Sequence, residues 1–424
     1  MKNRSGLEWC VIGVVGLFLL GCGGSEEFQP STTGEESSLT EDQGEGTEGE
    51  EEPRTLEEED LGGFPPMSSF PLGCSSESPD CGGGMVCASL DAVGACSAVP
   101  GEETKLTDPY SQAVAVDKAP NLDCIGNYPD PAESTSVTIY GIVDRFGSGL
   151  VTEDIVVRVF EAATFDPWAC DVLENAERAE CLSALVNNEG LIIGEAVSTG
   201  IEEESGLECE TDQDCPLGYS CTGDGLTDEC VVSFGLYELA NVPTNTPLVV
   251  MTRPLDEESG DWHDTYLFDT VFVEGYVEEG QRYRYDPLIV GHGQWKTVPS
   301  PFFTSIKPGN GAIGGRIRDC GALSEDGRRA WNLYGATVGF ASPADKTGYF
   351  NDKEADSLPD ADRISTNILG RYTGLDVEPG ANVVSASLMV EGEVISLGAI
   401  PIYVFPSSLS VVSLPGRVAT YTQK

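Results

Sequence analysis

The chain has 424 residues, 71 Asp and Glu against 23 Lys and Arg, and a formal net charge of −48. That balance excludes nucleic acid and anionic membrane surfaces as partners, because both need a basic footprint. With 50 glycines, 26 prolines and 40% hydrophobic residues, the sequence reads as a turn-rich globular protein of two or three domains and not as a wholly disordered one.

At the N-terminus, Lys2 and Arg4 precede an apolar run from Trp9 to Leu20, with Gly21, Gly23 and Gly24 around Cys22. This is the layout of a secretory signal. The run of about 12 residues covers about 18 Å at helical rise, short of the roughly 20 residues of a spanning helix. Residues 1–21 are therefore expected to be a cleaved leader. Leu19-Leu20-Gly21-Cys22 resembles the bacterial lipobox, which implies a diacylglyceryl group on the Cys22 sulfur and cleavage before it. Two or more acyl chains anchor a protein stably, so the resemblance makes the membrane a partner through the lipid. Gly23 stands where an Asp retains many such proteins at the inner membrane, which points to the outer membrane of a cell envelope.

Residues 22–66 read as a linker. From Ser25 to Asp60 there are 15 acidic residues against one basic residue, Arg54, a composition that repels itself and cannot bury a core. As a random coil it spans about 35 to 40 Å, letting a folded part stand off the membrane.

Beyond Cys10 in the leader and Cys22, twelve cysteines remain, an even number in a protein expected to leave the reducing cytoplasm. Cys74, Cys81, Cys87 and Cys96 form one cluster, in a module expected over 67–100. Cys209, Cys215, Cys221 and Cys230 form a second with nearly the same spacing, over 206–232. Neither has a C-x₂₋₄-C zinc knuckle, so each is expected to close two disulfides, with all three connectivities open. The second cluster resembles cysteine-rich segments of secreted myxobacterial proteins related to Dickkopf-type repeats. Cys124 falls in a connector over 101–134. Pro167 to Val186 has apolar residues near helical spacing; as one helix it would hold Cys170 and Cys181 about 16 Å apart, too far to bridge. That leaves the partners of Cys124, Cys170, Cys181 and Cys320 open.

From Ser136 onward, short Val/Ile/Tyr-rich runs alternate with Gly, Pro, Asn and Asp, the pattern of sandwich strands. A repeat lies within it. One copy runs Gly141-Ile-Val-Asp-Arg-Phe-Gly147, Val156-Val-Arg-Val-Phe160, Gly235-Leu-Tyr-Glu-Leu-Ala-Asn-Val-Pro243 and Leu248-Val-Val-Met-Thr252. The other runs Gly315-Arg-Ile-Arg-Asp-Cys-Gly321, Gly335-Ala-Thr-Val-Gly-Phe340, Gly370-Arg-Tyr-Thr-Gly-Leu-Asp-Val-Glu-Pro-Gly380 and Val383-Val-Ser-Ala-Ser387. Each closing strand is expected to turn at its Pro and pair with the next run as a hairpin. These phrases resemble the carboxypeptidase regulatory-like family of small transthyretin-like sandwiches. The second copy follows the pattern well. The first has Thr244 for the turn glycine and a longer interval, accounted for by the helical stretch and second cysteine cluster as a loop excursion, which costs little closure entropy. The expected fold class is mainly β: two Ig-like or transthyretin-like sandwiches, over 135–300 and 308–418, with small disulfide-rich modules and a disordered N-terminal stalk.

In that family such domains are accessory or adhesive, and the resemblance carries over no catalytic residue. The chain has only His263 and His292, neither in an H-x-x-E context, and lacks G-x-S-x-G, H-E-x-x-H and P-loop signatures. Gly309 to Gly314 fits G-x-G-x-x-G but leads into an expected strand, whereas dinucleotide binding needs a helix there; it reads as a domain-entry turn. For Asp261-Trp262-His263-Asp264 a chance grouping in an acidic chain is the preferred reading, with a metal or acid/base cluster the alternative. Asp352, Glu354, Asp356, Asp360 and Asp362 resemble extracellular calcium loops, where alternating carboxylates supply hard oxygen ligands, although Ser357 replaces the turn glycine. A solvated loop is the preferred reading there, with calcium the alternative; no other cofactor is expected. The functional expectation is a non-enzymatic envelope lipoprotein for display, binding or adhesion, its partner an envelope protein or polysaccharide. The alternatives are a structural subunit of an envelope complex and an extracytoplasmic hydrolase of unrecognised type.

Overall fold

The computed structural model describes residues 74–415 apart from 75–80, 82–84, 91–92, 109–110, 116–118, 126–132, 148–151, 174, 200–203, 209–218, 222–228, 233–235, 274–276, 278–279, 324–329 and 354–357. All belong to one unit, Glu58–Lys424. It is mainly β, as the alternating sequence pattern requires.

The N-terminal cysteine cluster builds a hairpin, β1 (Met85–Leu90) and β2 (Val93–Ala98), with Cys87 opposite Cys96. Each of these bonds instead to an upstream cysteine, giving Cys74–Cys87 and Cys81–Cys96. A short antiparallel pair follows, β3 (Lys105–Thr107) and β4 (Val114–Ala115).

The first repeat opens with β5 (Ser136–Ile142), β6 (Asp144–Arg145) and β7 (Ile155–Glu161). A 3₁₀ helix (Pro167–Val172) and α1 (Asn175–Val186) come next, then β8 (Ile192–Val197). A separate three-stranded sheet carries the second cysteine segment: β9 (Glu204–Glu208), β10 (Tyr219–Cys221) and β11 (Glu229–Val232). The repeat closes through β12 (Leu236–Pro243), β13 (Leu248–Pro254), β14 (Trp262–His263), β15 (Thr265–Thr270), β16 (Arg282–Arg284) and β17 (Leu288–Gly291), which runs into α2 (His292–Thr297).

The second repeat comprises β18 (Gly311–Arg316), β19 (Arg318–Leu323), β20 (Ala330–Tyr334), β21 (Thr337–Phe340), β22 (Lys346–Phe350), β23 (Pro359–Asp360), β24 (Arg371–Val377), β25 (Gly380–Val390), β26 (Glu393–Val404) and β27 (Leu409–Val411). The N-terminal strands attach here: β2 pairs with β21 at Ser97 and Gly339, and β3 pairs with β20.

The two repeats share one pairing scheme. The opening strand lies antiparallel to the closing strand (β5 with β12, β18 with β24) and parallel to a later strand (β5 with β16, β18 with β27). The strand that carries the second phrase of each repeat pairs with the strand after the closing one (β7 with β13, β21 with β25). The expected hairpins therefore do not form. At Pro243 and Glu378-Pro379 the chain crosses to another sheet, because the residues after the turn are apolar enough to cover the core from the opposite side.

A second correction concerns Pro167 to Val186. Leu173 is extended, with φ −98° and ψ 157°, so the stretch breaks into a 3₁₀ turn and a separate helix. The break folds Cys170 back onto Cys181, and the two are bonded with Cα atoms 5.7 Å apart. Cys124 bonds Cys320.

A nine-stranded sheet, in the order β23-β22-β24-β18-β27-β15-β13-β7-β8, runs through both repeats. Its seam is β27, three residues parallel to β15 on one side and to β18 on the other. Beside the seam, β7, β13 and β15 are covered on both faces. Ile155, Val157, Val159, Leu248 and Val250 face a core against β5 and β12, with Ile139, Tyr237 and Leu239. The alternate residues Phe160, Val249, Met251, Tyr266 and Phe268 enter the other core, with Ile313, Tyr372, Val384 and Phe405 of the second repeat. A period of two with apolar residues at both phases is what a strand buried on both faces requires. The helical excursion joins this shared core through Phe165, Trp168 and Leu182. It is held to the second repeat by Asp171, whose carboxylate accepts from the Tyr403 hydroxyl at 2.6 Å and pairs with Arg178 at 2.6 Å.

Asp376, at φ 56°, ties the entry of the second repeat to β24. Its carboxylate accepts from the Lys307 amide at 2.8 Å, the Lys307 ammonium at 2.5 Å and the Asn310 side chain at 2.8 Å. Burial pushes this carboxyl up, but the hydrogen bonds from Lys307 and Asn310 outweigh it and hold the group below its ordinary value. A carboxylate depressed in the folded state adds stability above its unfolded pKa of about 3.9 and loses it as pH falls through the folded value. Denaturant midpoints should thus drop below about pH 4, and Asp376→Asn should be weaker than wild type at pH 7 but show a shallower drop in acid. Parallel pH curves for the two proteins would contradict this role.

Candidate functional site: a two-histidine cluster at the seam

The chain's two histidines meet. Strand β14 pairs antiparallel with β17, placing His263 opposite Val290 and Trp262 opposite Gly291. His292 follows two residues after Val290, so it is the diagonal neighbour of His263 on the same face. The His292 amide donates to the Asp261 carbonyl at 2.7 Å, which carries the ladder one step into α2. His263 Nε2 and His292 Nδ1 are 3.2 Å apart, with ring planes within 20°. Trp295, one turn along α2, stacks on His263 with centroids 4.3 Å apart.

The other edge of His263 faces the second repeat. Its Nδ1 lies 2.9 Å from the carbonyl oxygen of Ser407, a residue at φ 53° in the turn leading into β27. A carbonyl only accepts, so Nδ1 carries the proton and Nε2 of the neutral ring presents its lone pair to His292. In the neutral pair, His292 Nδ1 is then the donor. Burial lowers the His263 pKa; the Ser407 contact opposes this and His292 adds to it. His263 is thereby kept neutral, with a basic nitrogen, at neutral pH.

Beside the pair, the Arg145 guanidinium lies over the Trp262 ring at 5.6 Å and donates to Gln294 Oε1 at 3.3 Å. Asp264 is half-buried, and its desolvation pushes the carboxyl up to about 6 against the pull of Arg253. Its backbone carbonyl accepts from the Leu409 amide at 2.9 Å, the first link of the seam. The cluster thus offers a directed proton path between two imidazoles, a basic nitrogen with its opposite edge fixed, and an aromatic wall.

Of the residues singled out in the sequence, the structure brings His263 to a partner that spacing did not suggest. Asp261 contributes only its carbonyl. Among the calcium candidates, Asp352 is occupied by Arg363 at 2.6 Å and by the Ile368 amide at 3.2 Å. Asp360 accepts from the Asp362 amide at 3.1 Å, and Glu354 and Asp356 lie outside the described residues. Gly309 stands at φ 87° before β18, a strand rather than a helix. Cys22, Cys209 and Cys215, and the side chains of Cys221 and Cys230, lie outside the described residues, although Cys221 and Cys230 are register partners on β10 and β11. In the sequence His292 stands out only as a histidine outside any H-x-x-E context, and Ser407 carries no signal. The one available signal was that a 424-residue chain holds just two histidines.

No protein-family model matches the chain, and no curated protein matches it. Solved structures with some likeness include the shaft pilin SpaA of Lactobacillus rhamnosus GG, at 8% identity and a TM-score of 0.17, covering 66% of this chain and 96% of that one. The minor pilin GBS52 of Streptococcus agalactiae has 9% identity and a TM-score of 0.15, with 68% and 99% covered. A variant of BcpA, the major pilin subunit of Bacillus cereus, has 11% identity and a TM-score of 0.15, with 67% and 70% covered. Likeness at such TM-scores carries no argument about what the chain does. Among the described residues, no helix is long and apolar enough to cross a membrane.

Proposed function

We propose that this chain is a non-catalytic lipoprotein of the cell envelope, anchored through Cys22, which holds a fused pair of β modules off the membrane for binding or adhesion. The order of its parts carries the reading: an export-type leader ending in Leu19-Leu20-Gly21-Cys22, an acidic stretch, then a disulfide-tied β unit. Lipid replaces a spanning segment, the acidic stretch sets reach, and a unit with a shared core and continuous sheet transmits load between anchor and ligand. The resemblance of the two repeats to carboxypeptidase regulatory-like modules, accessory or adhesive in that family, supports the same assignment. Outer-membrane placement follows from Gly23.

The test is recovery of the intact protein from its native membrane after mild crosslinking, with bound protein and glycan identified by mass spectrometry. The reading expects polysaccharide, or no stable stoichiometric protein. A single dominant protein partner in fixed ratio would overturn free display in favour of a structural subunit.

A further inference from the structure

The histidine cluster lies outside the anchor and outside the strand pairing that the two repeats share, and its chemistry points elsewhere. We propose that His263 Nε2 and His292 Nδ1 form a two-imidazole site for a borderline divalent transition ion such as Zn²⁺ or Cu²⁺, set on the seam between the two β modules.

Three observations carry this. The first is distance. Two nitrogens each about 2.0–2.1 Å from one metal and 3.2 Å apart subtend about 100° at the ion, near the tetrahedral angle. The second is the state of the ligand. The Ser407 carbonyl accepts a hydrogen bond from His263 Nδ1–H, which leaves Nε2 of the neutral ring unprotonated toward His292. A carbonyl on the far N–H is the outer-shell partner that metal-bound histidines characteristically have, because it fixes tautomer and ring orientation and raises basicity. The third is placement. Register puts both imidazoles on one face of the β14–β17 pair, and Trp295 covers one side of His263, so neither ring must travel far for the two lone pairs to converge.

Without metal, the same two nitrogens share the His292 Nδ1 proton. Binding therefore requires His292 to move its single ring proton from Nδ1 to Nε2, so the neutral pair takes up the ion as two neutral imidazoles, with no net proton release and no redox change. Imidazole donors select Zn²⁺, Cu²⁺ and Ni²⁺ over Mg²⁺ and Ca²⁺. With two protein ligands the remaining positions fall to water or to a donor from another molecule, so the ion would be exchangeable. Through His263 and Ser407 it would also tighten the turn that delivers β27 to the seam.

The chain's two histidines make the test direct, because an untagged full-length protein has two imidazole rings in its NMR spectrum. Zn²⁺ alone, added at pH 7.5, is expected to shift the ring signals of both His263 and His292, saturating at one equivalent. Affinity measured by competition with a chromogenic chelator should fall at least tenfold in His263→Ala and in His292→Ala. The milder His292→Gln keeps the test valid if His263→Ala fails to fold. Zn²⁺ that binds with neither ring shifting, or with equal affinity in the His292 variants, would assign the ion to the acidic surface and overturn the site. Rings that respond to pH but not to Zn²⁺ would overturn it as well, leaving a proton-sharing pair only.

Discussion

Gly315→Ala is expected to destabilise the folded unit by about 3 kcal/mol, at the upper end for overpacked sites, and Gly141→Ala by a similar amount. Both glycines sit at one node of the repeat. Gly315 is the register partner of Tyr372, and Gly141 of Tyr237. Each tyrosine is buried and donates its hydroxyl at 2.7 Å to a backbone carbonyl crossing over the glycine, that of Val412 in one repeat and Tyr285 in the other. The amide of the same crossing residue donates to the residue before the glycine, Val412 to Gly314 at 3.0 Å and Tyr285 to Tyr140 at 2.8 Å. A methyl group on Gly315 would meet the Val412 carbonyl and the Tyr372 hydroxyl, and one on Gly141 the Tyr285 carbonyl. Backbone on both sides cannot yield as a flexible side chain would. Tyr372→Phe and Tyr237→Phe keep the packing and remove the bond, so each should cost about 1–2 kcal/mol through the carbonyl left unpaired. Chemical denaturation of the four variants checks this. A Gly315→Ala midpoint indistinguishable from wild type would show that the crossing strand is free to move.

Removing the Cys124–Cys320 bridge has the next largest expected effect. Its sequence separation of 196 residues encloses the whole first repeat, so the bond holds both ends of that repeat against β19. The chain-entropy relation gives about 5 kcal/mol for a loop of this length, as an upper figure that structure in the denatured chain lowers. The connector is also placed by hydrogen bonds: the Asn121 amide donates to the buried Asp319 carboxylate at 2.6 Å, and the Cys320 amide donates to the Asn121 carbonyl at 3.0 Å. The double variant Cys124→Ala/Cys320→Ala should therefore fold, with a lowered denaturant midpoint. By the same relation, the short Cys170–Cys181 loop should matter less by about 2.5 kcal/mol. Equal losses for the two bridges would contradict the loop-length argument.

Much of the fold was legible in the sequence. The repeated phrases at Gly141 and Gly315 mark equivalent strands, and the repeat holds down to the Gly–Tyr pairing. Two things were not. The turns at Pro243 and Pro379 look like hairpin turns locally, because turn chemistry fixes a change of direction but not which sheet receives the next strand. The fusion of the repeats rests on β27, three residues whose pairing depends on contacts 97 residues away on one side, Ala312 with Leu409, and 144 on the other, Thr265 with Leu409. Leu248 to Met251 held a readable hint, since an unbroken apolar run suits a strand covered on both faces. In Pro167 to Val186, periodicity suggested one helix. The Asp166 side chain caps a short 3₁₀ turn that ends at extended Leu173, and that break alone makes the Cys170–Cys181 bond reachable. The histidine cluster was hidden because its partners lie 29 and 144 residues from His263.

The functional account turns on the anchor, and the mass of the native N-terminal peptide tests it most directly. Protein extracted from membranes of the native cell is predicted to begin at Cys22 carrying a diacylglyceryl group, and Cys22→Ser should move the protein from the membrane to the soluble fraction. A mature chain beginning at another residue without lipid, or a Cys22→Ser variant that stays membrane-bound, would contradict the assignment as an envelope lipoprotein.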